Sequence, residues 1–291
     1  RAIDRAVLQR MADALRHRGP DGEGFFNATG VGFAHRRLAI IDVEGGAQPL
    51  SAASGSTITF NGEIYNYKEL SAAHQGRGVR LKTRSDTEVL AEGLDREGGR
   101  YVEKLRGMFA FGFWNARDKS LTLARDRVGE RPLYYATTAD GFIVFASEIG
   151  AIAASGLIDF TLDPQAVADY FLYGFVPDPK SIYAGVRKLA PGKLLHVRRG
   201  ASPKEERYWR PEFRADDGAE FGDARERLLA LLDDAVRAQM ISDVPLGAFL
   251  SGGVDSSAIV SAMALAGNKV KTCTIGFAED AFDEREHARA V

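Results

Sequence analysis

Apolar and polar residues alternate along much of the first third of the chain. In VGFAHRRLAIID (Val31–Asp42) and STITFNGEIYNY (Ser56–Tyr67) every second position is apolar, the period of a half-buried strand, and Gly-, Pro- and Asn-rich turns separate such runs over residues 16–66. The opening RAIDRAVLQRMADAL instead spaces Ile3, Val7, Met11 and Leu15 along one face of a helix. Helical spacing returns over residues 85–104, with Ser85 as the expected N-cap and Glu88 as its capping-box partner. GMFAFGFWN, SLTLARD, RPLYYAT and GFIVFAS then read as a four-stranded β-meander with the turns NARDK and TADG. A helix and two more strands, ending in GKLLHVRRG, follow. Residues 200–218 are polar, carry two prolines and read as a linker.

Beyond it the rhythm becomes βα. DARERLLALLDDAVRAQM is a helix with Leu228, Leu232 and Val236 on one face. VPLGAFLSGG and KVKTCTIGF are expected to be buried strands running parallel, joined by the helix VDSSAIVSAMALAG. The reading is two domains, 1–207 and 208–291.

Composition narrows the class. Of 291 residues, 45% are hydrophobic and 27% charged, which is ordinary for a globular protein with a real core. Lys plus Arg is 38 against 40 Asp plus Glu, a net charge of −2, so no basic excess points to nucleic acid or an anionic membrane. No apolar run reaches membrane-spanning length, and the start lacks a signal-peptide block. A single cysteine, Cys273, excludes an intrachain disulfide and suits a reducing cytoplasm; its place in the second apolar strand predicts a buried structural residue. The histidines at 17, 35, 74, 196 and 287 have no metal-ligand spacing. The chain begins without Met and ends in the helical FDEREHARAV, expected to be capped by Asp283 with Glu286; it is read as a fragment.

The sharpest chemistry lies in FLSGGVDSSA (Phe249–Ala258), where a strand enters a Gly-Gly turn that opens a helix. Gly252 and Gly253 let main-chain N–H groups converge on a phosphate at the positive end of the helix. Ser251, Ser256 and Ser257 add hydroxyl donors. Asp255 would repel phosphate unless a cation lay between, which implies Mg²⁺. No Walker-type lysine is present, so cleavage between the α- and β-phosphates of ATP, with pyrophosphate leaving, is the natural chemistry.

SGGVDSS resembles the pyrophosphate loop of the ATP pyrophosphatases. The ordered set RHRGPDG, HRRLAIID, NGEIYN, SDTEV, GMFAFGFW, RDRVGERPLYY, FASEIGAI and SDVPLGAFLSGGVDSS resembles the glutamine-hydrolysing asparagine synthetase family, from about Arg16 to Asp283. That resemblance implies an α+β N-terminal-nucleophile hydrolase sandwich (αββα) that makes ammonia, followed by the start of a doubly wound α/β ATP-pyrophosphatase domain. It implies that Arg37 grips the α-carboxylate of glutamine. The main chain of Leu38, Ile40 and Ile41 would form the pocket wall. Asn61 and Gly62 would make the oxyanion hole, and Glu63 and Asp86 would take the α-ammonium. In the second domain Phe249, Leu250 and Ile275, the last taken as the end of the second strand, would lie against adenine.

The implied substrates are glutamine, ATP with Mg²⁺, and a carboxylate acceptor, by default aspartate; a homodimer is compatible with this. The family's nucleophile is a cysteine at the start of the mature chain. Here position 1 is arginine, and the pattern places the cysteine several residues ahead of it. The alternatives are a β-lactam synthetase-like ligase without that nucleophile, or a non-catalytic glutamine or nucleotide sensor. A smaller departure is Arg131 in RVGERPLYY, where the family usually has lysine; it is expected to be structural. His17 is expected to orient the loop at Pro20.

Overall fold

The computed structural model describes residues 3–213, 218, 220–267 and 269–291. It divides into two compact units, Arg1–Pro211 and Glu212–Val291. In the first, the elements are α1 (Arg5–Ala14), β1 (Gly22–Ala28), β2 (Val31–Arg37), β3 (Leu50–Ser51), β4 (Thr57–Ile64), α2 (Tyr67–Gly76), α3 (Asp86–Glu97), β5 (Gly107–Asn115), β6 (Ser120–Arg125), β7 (Tyr134–Thr137), β8 (Ile143–Ala146), α4 (Ile149–Ser155), α5 (Pro164–Tyr173), β9 (Val186–Lys188), β10 (Lys193–Arg198) and β11 (Lys204–Arg207).

An antiparallel sheet of order β11-β10-β6-β5-β4-β3 forms one layer. The hairpin β1-β2 and the three strands β8-β7-β9 form the layer facing it. Alternation explains the core between them: Ala110, Leu121, Leu123 and Leu195 from the large sheet meet Val31, Phe33 and Tyr135 from the other layer. Full burial of each large apolar side chain stabilises by roughly 1.5–3 kcal/mol. On the outer face of the large sheet, α3 packs on β3, β4 and β5 and buries Leu90 and Leu94, with α2 against α3. On the other side α1 and α4 pack together, bringing Met11, Ala14 and Leu15 against Ala151, Ile152 and Val144. The layers run helix, sheet, sheet, helix, which is the αββα arrangement.

Several expectations change. The four-strand meander divides between the layers: β5 and β6 belong to the large sheet, β7 and β8 to the other. The chain crosses over through the loop after Arg125. The supposed linker starts later than residue 200. Lys204–Arg207 pairs with β10, Tyr135 Oη donates to Glu205 at 3.0 Å, and Tyr208 Oη donates to the Arg125 carbonyl at 2.8 Å. Its unbroken run of charges, KEER, hid this strand, whose glutamates meet the side chains of Lys193, Tyr135 and His196. Linker positions 214–217 and 219 lie outside the described residues. Ser85 does cap α3, accepting from Thr87 N–H at 3.1 Å, but the reciprocal arm is missing. Glu88 turns instead to the N–H groups of Lys82 and Thr83 and pins the preceding loop.

The second unit contains α6 (Phe221–Gln239), β12 (Gly247–Phe249), α7 (Val254–Leu265), β13 (Lys271–Cys273) and α8 (Arg285–Ala290). β12 and β13 are parallel, as expected, and Val236, Ala262 and Met263 form a small core between α6 and α7. The strands span three residues each and are largely exposed rather than buried, because among the described residues each has only the other as neighbour. Cys273 is accordingly exposed, and Leu228 points outward at 65% exposure. Asp283 accepts the Arg285 N–H, but Glu286 closes no capping box. No helix among the described residues is long and apolar enough to cross a membrane.

Candidate functional site

A cavity of ≈ 1910 Å³ opens in the first unit. It is lined by consecutive residues, Ala28 through Leu38 on one side and Asp140 through Ser147 on another. A strand that shows a face contributes every second residue; a strand that shows an edge contributes all of them. β2 pairs only with β1 and β8 only with β7, so the cavity runs between two open strand edges. Arg37, Leu38, Ile40, Ile41, Asn61, Gly62, Glu63 and Asp86 all line it.

Arg37 is the last residue of β2. Its Nη1 donates to the Val43 carbonyl at 2.7 Å, and its Nη2 to the carbonyls of Asp42 at 2.7 Å and Ile41 at 3.1 Å. These bonds curl the following loop around the guanidinium. Gly46 completes it, since a Cβ there would strike Arg37 Nη2. Three N–H groups of the fork are thus engaged and two remain for another acceptor. Asp42, with φ 49°, accepts the N–H groups of Gly45 and Arg84, tying this loop to the approach to α3.

Asn61, Gly62 and Glu63 lie on β4 opposite Ala110, Phe109 and Met108 of β5. The Gln48 side chain clamps Phe60, accepting its N–H at 2.7 Å and donating to its carbonyl at 3.0 Å, while Ile64 N–H donates to Asp86 Oδ2 at 3.0 Å. Strand alternation turns the Gly62 N–H to this same edge, between those two. Gly62 has φ +149°, and a Cβ would run into the Met108 carbonyl oxygen, so only glycine fits. Among the described residues the Asn61 amide reaches Ser147 Oγ, at 3.4 Å.

Burial dominates the electrostatics. It pushes the Asp86 carboxyl up to about 6, against the pull of N–H groups from Ile64 and Thr87 and the hydroxyls of Ser85 and Thr87. Glu63 is raised by burial and by Asp86, while Arg131 pulls it down. His35, which meets Thr59 Oγ1 at 3.1 Å, is lowered to about 4 by burial and by Arg37. It is therefore a neutral link between β2 and β4 at neutral pH. The result is an arginine fork and an acidic pair in one cavity.

In the second unit, Leu250 is buried and fixed on both sides, its N–H to the Cys273 carbonyl and its own carbonyl to Thr274 Oγ1 at 2.7 Å. Gly252 has φ +84°, and a Cβ there would strike the main chain of His287. Ser251 Oγ lies 3.1 Å from Ser256 Oγ and takes the Gly253 N–H at 3.3 Å. Gly253 precedes helix α7 as its N-cap and offers no side-chain cap, which leaves first-turn N–H groups to an incoming anion. Asp255 is exposed in that turn, beside half-buried Ser257. No group of three or more acidic, His or Cys side chains gathers among the described residues. Asp255 alone fits a magnesium ion that takes its other ligands from nucleotide phosphates and water. Phe249 is 80% exposed, and Ile275 lies past the end of β13 in the loop, 64% exposed, rather than ending the strand.

A family model described as a glutamine amidotransferase domain matches residues 2–209, and one described as asparagine synthase matches residues 227–291. The chain belongs to the glutamine-hydrolysing asparagine synthetase family. Asparagine synthetase [glutamine-hydrolyzing] 1 of Bacillus subtilis (strain 168) is 40% identical over 284 residues, 97% of this chain and 44% of that protein. A putative asparagine synthetase [glutamine-hydrolyzing] of Mycobacterium tuberculosis (strain ATCC 25618 / H37Rv) is 36% identical over 302 residues, 98% and 46% of the two chains. The chain thus spans less than half the length of these relatives. Among solved structures, the glutamine phosphoribosylpyrophosphate amidotransferase from B. subtilis matches with a TM-score of 0.51 at 20% identity, over 92% of this chain and 63% of that one, which shows a shared fold.

Within this family member, the sequence left several structural residues without a role. Asp126 is buried and accepts five main-chain N–H groups: Oδ1 those of Val128, Gly129 and Glu130, Oδ2 those of Phe109 and Arg131. The aspartate followed closely by glycine was the available signal. Gln48 had none, because its target is a distant strand. Arg131, expected to be structural, lines the cavity, and its Nε is buried without a partner. His17 pairs with Glu148 at 3.1 Å rather than orienting Pro20.

Proposed function

We propose that the full-length protein is a glutamine-dependent amidotransferase. The first unit releases ammonia from glutamine. The second converts a carboxylate, activated by ATP as an acyl-adenylate, into an amide; the relatives' names favour aspartate as acceptor. One observation carries the reading: Arg37, Asn61, Gly62, Glu63 and Asp86, from three separate stretches of chain, line one cavity.

The remaining N–H groups of Arg37 suit an α-carboxylate. Glu63 and Asp86 suit the α-ammonium. The Asn61 amide and the Gly62 N–H are donors for an oxyanion developing at the side-chain amide carbon. The attacking thiol would arrive on an extended segment between β2 and β8, whose open edges offer N–H and C=O groups on both sides. In the second unit the N–H groups opening α7, with Ser251, Ser256 and Ser257, would hold the pyrophosphate part of ATP. Bound Mg²⁺, held in part by Asp255, would supply charge neutralisation there.

The test is the mature N-terminus of the full-length protein, together with AMP and pyrophosphate release from ATP and aspartate with glutamine or ammonia as nitrogen donor. An N-terminal cysteine with glutamine-dependent AMP release bears the proposal out. Pyrophosphate release without the cysteine and without any nitrogen donor would make it a β-lactam synthetase-like ligase. No ATP turnover with any acceptor would leave only a sensor.

A further inference from the structure

We propose that Ser147 is a positioning residue of the oxyanion hole, its hydroxyl fixing the plane of the Asn61 amide. One amide N–H is then held by Ser147 and the other is left for the oxyanion. This rests on the reading of the pocket given above.

Asn61 belongs to β4 of the large sheet, whereas Ser147 directly follows β8 of the facing layer, and both line the cavity. Asn61 Nδ2 donates to Ser147 Oγ at 3.4 Å, a contact between positions 86 residues apart. The last torsion of an asparagine side chain is broad and roughly two-fold. The strand therefore fixes where the Asn61 side chain starts but not which way its amide faces. Among the described residues Ser147 Oγ is the hydrogen-bond partner of that amide. An NH₂ group carries two donors, so one held by Ser147 leaves one for an acceptor in the cavity. The bond is long for a site without substrate, and such bonds shorten as the reacting group arrives.

Both ends of the contact stand on fixed main chain. Before Ser147, Ala146 pairs with Tyr134 of β7. After it, Glu148 meets Arg18 Nη1 and His17 Nε2, each at 3.1 Å. Helix α4 follows, buries Ala151 and Ile152, and is pinned at its far end by Arg10, whose Nε and Nη2 donate to the carbonyls of Ala154 and Ser155 at 3.0 Å. The Ser147 hydroxyl is not spent on α4, whose N-cap is Glu148 and which has no side-chain cap. On the other side, β4 pairs with β5 on both sides of Asn61, while Gln48 holds Phe60 and Asp86 holds Ile64. Only side-chain torsions remain free between these two mounts, and the hydroxyl–amide bond settles them.

The experiment is a double-mutant cycle on glutamine hydrolysis by the full-length protein: wild type, Ser147→Ala, Asn61→Ala and the double variant. Ser147→Ala alone should lower kcat about tenfold, the upper worth of one neutral hydrogen bond, with a smaller change in KM. In the Asn61→Ala background, where there is no amide left to orient, the same substitution should change kcat by less than about twofold. Circular dichroism establishes that each variant is folded; if alanine is not accommodated at 147, Ser147→Gly makes the same comparison. An unmoved kcat in Ser147→Ala would overturn the role of Ser147 while leaving the pocket intact. So would an equal loss in both backgrounds, the mark of a residue that acts on the fold and not on Asn61. A wild-type protein that hydrolyses no glutamine, or an unchanged kcat in Asn61→Ala, would overturn the pocket reading itself.

Discussion

The main-chain N–H of Ile64 donates to Asp86 Oδ2 at 3.0 Å, binding the strand that carries Asn61, Gly62 and Glu63 to the first turn of α3. The same carboxylate is thus a structural tie and, in the proposed pocket, half of an ammonium site. These two duties respond differently to loss of charge.

Replacing Asp86 with Asn keeps an oxygen for the Ile64 N–H but removes a buried charge. The folded carboxyl titrates at about 6 against a reference of 3.8, so below about pH 3 it is protonated in both states, and above pH 6 the native state alone carries the cost of a buried ionised group. Asp86→Asn should therefore gain stability above pH 6, by ~3 kcal/mol at most, and gain nothing below about pH 3. Its KM for glutamine should rise at least tenfold at pH 8 (about 1.4 kcal/mol). Thermal melts at pH 8 and about pH 3 read the first effect; a lower melting temperature at pH 8 would mean the N–H bond outweighs burial.

Asn61→Ala removes a donor that the transition state needs more than bound glutamine does. kcat for glutamine should fall on the order of 10²–10³-fold with a smaller change in KM. Arg37→Ala should chiefly raise KM, because an α-carboxylate is held equally in both states. Ammonia-dependent synthesis should survive both substitutions. Steady-state kinetics with each nitrogen donor make the comparison, and an unchanged kcat in Asn61→Ala would remove the oxyanion role.

Asp126→Asn places an NH₂ where a carboxylate oxygen now accepts two or three main-chain N–H groups. Each buried donor left unmet costs about 1–3 kcal/mol. A denaturant midpoint should report a loss of ~3 kcal/mol or more. Wild-type stability in this variant would show that the loop has other support.

Asp255→Asn should abolish AMP and pyrophosphate release while leaving glutamine hydrolysis largely intact. Mg²⁺ contributes several kcal/mol of charge stabilisation in such reactions, so a loss of several powers of ten is expected. Pyrophosphate release at the wild-type rate would mean that Asp255 holds no part of the ATP–metal complex.

Residues whose duty follows from their immediate neighbours were legible in the chain. Strand alternation marked β2, β4, β5 and β6, and the Gly-Gly turn marked the start of α7, because backbone sterics act over a few positions. The ordered motifs also named Arg37, Asn61, Gly62, Glu63 and Asp86, which the fold brings to one cavity. What failed had non-local causes. β11 is a strand because Lys193 and Tyr135 receive Glu205, and Glu88 leaves its capping box because two N–H groups of the preceding loop compete for it.

The sequence by itself determined most element types, the family and a set of residues, Arg37, Leu38, Ile40, Ile41, Asn61, Gly62, Glu63 and Asp86, that line one cavity. Tertiary structure alone decided which strands share a layer, that β2 and β8 keep open edges across the cavity, and that Arg131 lines that cavity. The physical reason is range. Periodicity and turn chemistry are settled within about one turn of chain, whereas the sheet a strand joins and the partner of a buried charge depend on surfaces tens of residues away, which meet only when the core closes.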